Sequence, residues 1–349
     1  MRSANFPRRR PLLVVLATAA AVVLTACGSN RVVPGDTVTE TVGPAGHSAH
    51  AGGNNKSHHP SGKNKGDKNK KNGKPKTVVH VSALESDGAT YGVGIPIVLY
   101  FHPLPTNSSA FTKAAKVKVN GSVANGAWFW EQPTKYEKTR HIIEAHYRLS
   151  RYWPANSDVD VNLPIGGLSA GKGKVYGHAL NSVSFHIGAS HVSSVDGQAR
   201  KMTVTSNGRL VRTIEVSLGA AQTPTYTGVK VVMQKGENQP DGAKLRPDGA
   251  VEMIGPGYDE LVDWSVRITQ SGEYVHAAPW NSHIGQLNTS NGCTNLQVDT
   301  AKWFYQFSRL GDIVTYTHTD GTTMPSWDGL GDWNVPWPEW QNGGLLLNH

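Results

Sequence analysis

The chain is poor in cysteine, with only Cys27 and Cys293 among its 349 residues. Cys27 ends an apolar N-terminal segment, so the remainder holds a single thiol and cannot form a disulfide within itself. Long apolar runs are also scarce. The N-terminal run from Leu12 to Ala26 is shorter than the ~20 residues that a membrane-spanning helix needs, so we do not predict a transmembrane helix there.

The N-terminal segment has the features of an export signal. Four arginines precede the apolar run, and the run ends in Leu24-Thr25-Ala26-Cys27, which resembles the lipobox of bacterial lipoproteins. We therefore predict a lipoprotein signal peptide over residues 1–27, with Cys27 diacylated and the protein anchored at the extracytoplasmic face of the cell membrane. Two acyl chains are enough for stable anchoring. The alternative is an ordinary signal peptide with a chance cysteine.

Acidic residues are scarce in the lysine-rich part of the next segment, residues 28–77. Lys56 to Lys76 contains eight lysines and one acid, Asp67, whereas the whole chain has a formal net charge of +8. The remainder is therefore near neutral, which argues against a nucleic-acid-binding surface. We predict a flexible linker, with contact to anionic lipid or wall polymers as the alternative role of its lysines. The histidines here could bind a metal adventitiously, but their spacing is not that of a specific site (His47, His50, His58 and His59), and no metal site or cofactor is predicted.

Helical periodicity is absent from residues 78–188, where short apolar or alternating runs are separated by turn residues. This pattern predicts a mainly β chain that begins with an Ig-like β-sandwich. The strands are expected at Pro96–Phe101, Ala115–Val119, Ala127–Glu131, Ile142–Leu149, Val159–Leu163 and Val183–Ile187.

A second β-rich domain is expected over residues 189–320. Asn207-Gly208 accepts positive φ at both positions and predicts a hairpin between strands Lys201–Thr205 and Leu210–Ser217. Residues 236–260, rich in Gly, Pro and charge, are expected to form a loop that acts as a lid or an insertion. Further strands are expected at Val229–Met233, Val262–Thr269 and Tyr274–His276.

One main helix is expected from Asp299, as N-cap, to Leu310, with Gly311 ending it. Its apolar stripe should face the core and consists of Trp303, Phe304, Phe307 and Leu310.

Cys293 and His276 are the candidate catalytic residues. An imidazole can take the proton that a thiol loses, which is the minimum for thiolate catalysis. Placed just before the helix, Cys293 would gain thiolate stabilisation from backbone N–H groups, and Gly292 would let the N–H groups of residues 292 and 293 approach a substrate carbonyl. The structural alternatives are an inert buried cysteine and a core histidine.

The segment from His276 to Asn295 resembles the active-site signature of the YkuD-type L,D-transpeptidases, in which a histidine is followed after an interval by Ser/Thr-His-Gly-Cys-x-Asn. The likeness covers residues 78 to 345. It includes Val275-His276-Ala277-Ala278-Pro279-Trp280, Ala301-Lys302-Trp303-Phe304-Tyr305 and the Trp-rich segment Asp328–Trp337, as in actinobacterial and mycobacterial members with Ig-like domains. Two positions depart from the family: Asn291 replaces its second histidine, and Ala277 replaces a serine.

The resemblance implies that Cys293 attacks the third residue of a peptidoglycan tetrapeptide stem, releases D-Ala and forms a thioester. The side-chain amine of a second stem would resolve it as a 3→3 cross-link. A backbone carbonyl near residue 277 would orient His276, and the amide of Asn291 would hydrogen-bond in place of a neutral histidine. The substrate-binding positions implied are Met253 and Tyr258 on the lid, with Ser271, Gly272, Trp280, Ser290 and Asn295 around the acyl site.

The C-terminal extension, residues 321–349, is rich in tryptophan. We interpret Trp327, Trp333, Trp337 and Trp340 as a strap that packs between the two domains, with a glycan-stacking platform as the alternative. The chain is expected to be a monomer. Alternative functions are an L,D-carboxypeptidase, in which water resolves the thioester, a sortase-like enzyme, or a weakly active or non-catalytic peptidoglycan-binding lipoprotein.

Overall fold

The computed structural model describes residues 76–132, 143–236, 246, 248–255 and 258–345, without the side chain of Tyr258. The signal peptide, Cys27 and the linker up to residue 75 lie outside the described residues. Within the described ranges, no helix is long and apolar enough to cross a membrane.

The first domain is a sandwich of two five-stranded sheets, ordered β6-β7-β3-β1-β9 and β2-β10-β8-β4-β5. Its elements are β1 (Thr77–Ala83), β2 (Thr90–Tyr91), β3 (Ile97–His102), α1 (Ser109–Ala114), β4 (Lys116–Val119), β5 (Ser122–Val123), β6 (Gly126–Glu131), β7 (Ile143–Leu149), β8 (Ser157–Asn162), β9 (Lys174–Tyr176) and β10 (Ser182–Ile187).

Alternation of side chains explains the core of this sandwich. Strand β8 buries every second residue, Ser157, Val159 and Val161, as a half-buried strand should. Phe101 and Trp130 meet in the interior with ring centroids 4.7 Å apart. All six expected strands are present within one or two residues at each end. The short helix α1 was not expected; it buries only Phe111 in the same aromatic cluster.

The second domain contains a five-stranded sheet, β13-β12-β11-β21-β14, a four-stranded sheet, β15-β18-β19-β20, and the two-stranded hairpin β16-β17. Its elements are β11 (His191–Asp196), β12 (Lys201–Ser206), β13 (Arg209–Glu215), β14 (Gly228–Val231), β15 (Gln234–Lys235), β16 (Val251–Gly255), β17 (Tyr258–Val262), β18 (Val266–Arg267), β19 (Tyr274–Ala277), β20 (Thr294–Leu296), α2 (Val298–Phe307) and β21 (Ile313–Thr317).

The hairpin predicted from Asn207-Gly208 is present. Ser206 pairs with Arg209, and Asn207 and Gly208 have φ values of 48° and 77°, as a type I′ turn requires. The mainly β fold class, an Ig-like domain followed by a β-rich domain with few helices, is likewise confirmed.

The expected bounds of the main helix were wrong. Helix α2 ends at Phe307 because Ser308 adopts an extended conformation. The Asp312 carboxylate accepts the N–H of Arg309, and the Leu310 carbonyl accepts the N–H of Gly92 from the first domain. Leu310 is therefore exposed and outside the helix. Of the expected stripe, Phe304 is buried and Trp303 and Phe307 are partly buried.

The expectation of a loop from residue 236 to 260 was also partly wrong. Strands β16 and β17 form a hairpin in which Met253 opposes Glu260. Alternation again decides the packing, since Val251 and Met253 are buried while Ile254 is exposed. Val251, Met253 and Val262 pack with Tyr274 and Cys293 in a small apolar cluster, so the hairpin covers the cysteine.

The C-terminal extension joins the two domains, as the strap interpretation predicted. The indole N–H groups of Trp333 and Trp340 donate to the carbonyls of Gly94 and Ala127 in the first domain. The guanidinium of Arg148 lies 4.8, 5.3 and 4.4 Å from the ring centroids of Trp333, Trp337 and Trp340. Trp327, in contrast, is exposed. The extension contains a 3₁₀ turn, Asp332–Asn334, and the short helix α3 (Trp337–Trp340).

Candidate active site

A cavity of about 440 Å³ opens beside the hairpin β16-β17 and contains both candidate catalytic residues. Its lining comprises Met253, Glu260, Val262, His276, Trp280, Asn281, Ser282, His283, Thr289, Ser290, Asn291, Cys293 and Asn295. The sequence separates these residues into three segments, and the four-stranded sheet brings them together, since β19 pairs in parallel with β20 and places His276 opposite Asn295.

The loop that carries Cys293 is held by its neighbours on both sides. The hydroxyl of Ser290 donates to the Cys293 carbonyl (2.6 Å) and accepts the N–H of Gly292 (3.1 Å). Thr225 donates its hydroxyl to the Gly292 carbonyl (2.8 Å). Gly292 has a φ of 115°, a conformation that L side chains rarely adopt, so glycine is required by the backbone here.

Two expectations about this loop were wrong. Cys293 does not lie just before a helix: it is followed by strand β20, and α2 begins only at Val298, beyond the range over which a helix terminus acts. The N–H of Gly292 is engaged by Ser290 rather than turned toward a substrate carbonyl. Helix α2 therefore does not stabilise a thiolate at Cys293.

The Cys293 thiol is buried, and its Sγ lies 3.7 Å from the carbonyl oxygen of Gly272, to which it donates. Burial in apolar surroundings favours the neutral thiol over the thiolate. A nucleophilic role at this position thus needs a base and a source of positive potential.

His276 is fixed in one tautomer. Its Nδ1 lies 2.7 Å from the carbonyl oxygen of Ala277, which can only accept, so Nδ1 carries the proton and Nε2 is the basic nitrogen. This carbonyl is the orienting partner that the family resemblance implied. Burial lowers the pKa of His276 to about 4, with the bond to Ala277 acting in the opposite direction. The imidazole is therefore neutral near pH 7 and can accept a proton.

Four of the implied substrate positions line the cavity along with Asn291. Met253 and Asn295 are buried, and the Asn295 Oδ1, which is closed off from solvent, has no hydrogen-bond partner within the described residues. Trp280 is 56% exposed, with its ring 6.2 Å from that of His276. Asn291 is exposed at the rim. Ser290 also lines the cavity while it fixes the Cys293 loop.

Ser271 and Gly272 do not line the cavity. The backbone N–H and hydroxyl of Ser271 both donate to Asp328, at 2.6 Å each. Gly272 contributes its carbonyl beneath the Cys293 thiol. The side chain of Tyr258 lies outside the described residues, although its backbone pairs with Gly255 in the hairpin.

Sequence reasoning missed a group of buried charges behind the cysteine loop. Lys230 and Glu273 form an ion pair, and Asp328 binds the neighbouring Ser271. All three side chains are buried. Their positions are far apart in the sequence, and β14 shows no alternation that could have pointed to Lys230, because Lys230 and its neighbour Val231 are both buried.

One cluster within the described residues has the ligand types and spacing for a metal ion. It consists of Glu131, His146 and Asp332, whose ligand atoms lie within 4.8 Å of one another. It belongs to the contact between the first domain and the C-terminal extension and does not line the cavity. His146 Nδ1 is already hydrogen-bonded to Asp332 at 2.7 Å.

The fold and this site together define an L,D-transpeptidase-type domain preceded by an Ig-like domain. Residues 190–315 match the YkuD family, the L,D-transpeptidase catalytic domain, and residues 48–169 match a bacterial Ig domain. The chain is 30% identical to L,D-transpeptidase 1 of Mycobacterium tuberculosis H37Rv over 234 residues, which cover 67% of this chain and 82% of that protein. It therefore belongs to the L,D-transpeptidase family.

Other relatives are consistent with this assignment. L,D-transpeptidase 2 of M. tuberculosis (strain CDC 1551 / Oshkosh) is 34% identical over 74% of this chain, which spans only 61% of that relative's length. Among solved structures, an L,D-transpeptidase from M. tuberculosis H37Rv superposes with a TM-score of 0.51 at 27% identity, over 68% of this chain and 96% of the other. L,D-transpeptidase 3 of M. tuberculosis, in complex with a faropenem-derived adduct, gives a TM-score of 0.50 at 26% identity, over 68% of this chain and 97% of that one.

Proposed function

We propose that this protein is a cysteine-dependent L,D-transpeptidase that forms 3→3 cross-links between peptidoglycan stem peptides. The observation that carries the proposal is the placement of Cys293 and His276 in one cavity, with the histidine fixed so that its basic Nε2 is available. The reaction class is proposed from membership of the family, and the catalytic residues are proposed from the lining of the cavity.

The acylation step needs a nucleophile, a base and a leaving group that accepts a proton. The Cys293 thiol gives its proton to His276 Nε2, and its sulfur attacks the carbonyl carbon of the third stem residue. The C–N bond to D-Ala then breaks. His276 returns the proton to the departing amine, which leaves a thioester on Cys293.

Deacylation reverses these roles. The side-chain amine of a second stem attacks the thioester carbonyl and loses a proton to His276, and the sulfur of Cys293 leaves and is reprotonated. Asn295 lines the same cavity as Cys293 and His276. The hairpin β16-β17 covers the cysteine on the other side, which would limit access of water to the thioester.

The proposal is tested by incubating the purified protein with a disaccharide tetrapeptide and measuring both free D-Ala and the cross-linked dimer. We expect D-Ala release with a 3→3 dimer, and neither product with Cys293→Ala. Free tripeptide without dimer would assign the protein as an L,D-carboxypeptidase. A wild-type protein that releases no D-Ala would contradict both.

We also propose that Cys27 is lipidated and holds the enzyme at the extracytoplasmic face of the membrane, with the lysine-rich linker between anchor and domains. The support is the lipobox-like sequence and the charge of residues 56–76. Cys27→Ala should release the protein from the membrane fraction and leave its activity in solution unchanged. A variant that remains membrane-bound in high salt, with its signal peptide removed, would contradict the anchor.

A further inference from the structure

The nucleophile loop rests on a buried ion pair. The Lys230 ammonium donates to Glu273 Oε2, and the lysine is fully inaccessible while Glu273 is nearly so. Replacing a buried ion pair by apolar residues is often neutral or stabilising, because taking two charges out of water is costly. Stability alone therefore gives little reason for charges at this place, which adjoins the loop of Cys293.

The carboxylate of Glu273 organises one side of the loop. Its Oε1 accepts the backbone N–H of Tyr226 at 2.8 Å. A Cβ at Gly292 would come within 3.8 Å of both Cγ and Oε1 of Glu273, so the side chain lies directly against the residue before the nucleophile. Gly272, the residue before Glu273, has the carbonyl that accepts a hydrogen bond from the Cys293 thiol.

The ammonium of Lys230 reaches the other side of the loop through an aromatic ring. Its Nζ lies 3.9 Å from the ring centroid of Tyr316. The Tyr316 hydroxyl is 2.7 Å from the Thr294 hydroxyl, on the residue after Cys293. The pair is thus linked to the residues on both sides of the nucleophile. Burial lowers the pKa of Lys230, and the negative charges of Glu273 and, after it, of an ionised Cys293 thiol oppose that shift by favouring the ammonium form.

The chemistry of the site calls for such a cation. No helix begins at Cys293, and buried His276 holds a proton only weakly, so an imidazolium cannot supply much positive potential. We propose that the Lys230–Glu273 pair is a positioning element of the active site: Glu273 orients the loop, and the Lys230 ammonium stabilises the thiolate of Cys293. This inference deepens the proposed function and rests on it only for the identity of the substrate.

Other charged and titratable groups line the cavity or interact with Lys230 or Cys293, and they must be kept constant in any test. They are His276 on β19, Tyr316 on β21, Asp328 in the C-terminal extension, Glu260 on the hairpin β16-β17, and His283 in the cavity wall.

The test measures the rate of alkylation of Cys293 by iodoacetamide against pH, in the purified full-length protein. Mass spectrometry of the peptide that contains Cys293 separates it from Cys27. Lys230→Met keeps the apolar stem and removes the charge. We expect the midpoint of the rate profile to rise by about one pH unit, so that alkylation below the midpoint slows by up to about tenfold.

The matched control is Lys235→Met. Lys235, like Lys230, lies over a tyrosine ring, with its Nζ 4.7 Å from the Tyr305 centroid, but it is only part-buried, donates to the Ser308 carbonyl and does not touch the Cys293 loop. Its midpoint should equal that of the wild type. If both lysines had only a structural role, Lys230→Met and Lys235→Met would both lower the melting temperature, and neither would shift the midpoint of the pH profile.

The double variant Lys230→Met/Glu273→Gln separates folding from reactivity, because neither substitution then leaves an unpaired buried charge. It should recover the melting temperature lost in Lys230→Met and still show the raised midpoint. An unchanged midpoint in Lys230→Met, or a wild-type midpoint in the folded double variant, would overturn the proposal. Since alkylation needs no stem peptide, a shift in a protein without transpeptidase activity would uphold the ion pair's role while refuting the proposed function.

Discussion

Asp328 connects the C-terminal extension to the active site, and its replacement should lower both the stability of the protein and the rate of acylation. Its carboxylate is fully buried and accepts two short hydrogen bonds from Ser271. Hydrogen bonds to a charged group contribute about 1.5–3 kcal/mol each. Asp328→Ala removes both, and release of the buried carboxylate offsets part of the loss. We expect the free energy of unfolding to fall by about 2–4 kcal/mol.

The same substitution should also lower the reactivity of Cys293. Ser271 precedes Gly272, whose carbonyl accepts a hydrogen bond from the Cys293 thiol. Without Asp328, the segment of Ser271 and Gly272 should be held less firmly, and acylation should be slower even in molecules that remain folded. Urea unfolding gives the stability, and the rate of carbapenem acylation under native conditions gives the effect on the site. Asp328→Asn, which retains one acceptor oxygen, should fall between the wild type and Asp328→Ala.

Asp320→Ala is the matched control, because this carboxylate lies in the same part of the chain and is exposed. It should change the free energy of unfolding by no more than about 0.5 kcal/mol and leave acylation unchanged. Equal effects of the two alanine substitutions, or an Asp328→Ala variant with wild-type stability and acylation rate, would refute the reasoning.

Three further predictions follow from the geometry. Because burial lowers the pKa of His276 to about 4, the base stays neutral in mild acid, and the acid limb of the acylation rate should fall near pH 4; a limb near 6.5 would contradict the burial argument. Trp340→Ala should lower the free energy of unfolding by about 3–5 kcal/mol, whereas exposed Trp327→Ala should cost about 0.5 kcal/mol, both measured by chemical denaturation. Asn291→His should keep or raise the acylation rate, and Asn291→Ala should lower it by an amount equivalent to about 1 kcal/mol; equal rates for all three would show that position 291 takes no part.

Local sequence signals predicted the parts of the fold that local physics decides. Asn207-Gly208 specified its turn because both residues tolerate positive φ. The end of helix α2 was mispredicted because tertiary contacts set it: Asp312 and Gly92 capture the groups at Arg309 and Leu310 before Gly311 is reached. Such contacts leave no trace in a helical periodicity.

The site shows the same division. The sequence could point to Cys293 and His276 because a lone thiol and a histidine together suggest thiolate chemistry, and the family resemblance implied their roles; the structure places both in one cavity. Lys230 and Glu273 were not, since a lysine in a short strand and a glutamate in a turn read as ordinary surface residues. Only the pairing of distant strands shows that both are buried behind the nucleophile.

The hairpin β16-β17 was missed for a compositional reason. Glycine, proline and charge dominate residues 236–260, which is typical of a loop, and the short alternation of Val251 and Met253 is weak beside them. In the structure these two side chains pack in the apolar cluster that contains Cys293, and Met253 also lines the cavity.

The central claim is that Cys293 is the nucleophile of the site. Intact mass spectrometry of the purified protein after incubation with faropenem tests it most directly, since a related L,D-transpeptidase has been solved with a faropenem-derived adduct. The account predicts one covalent adduct that maps to the peptide containing Cys293, and none on Cys293→Ala. An adduct that persists on Cys293→Ala, or that maps to another residue in the wild type, would contradict it.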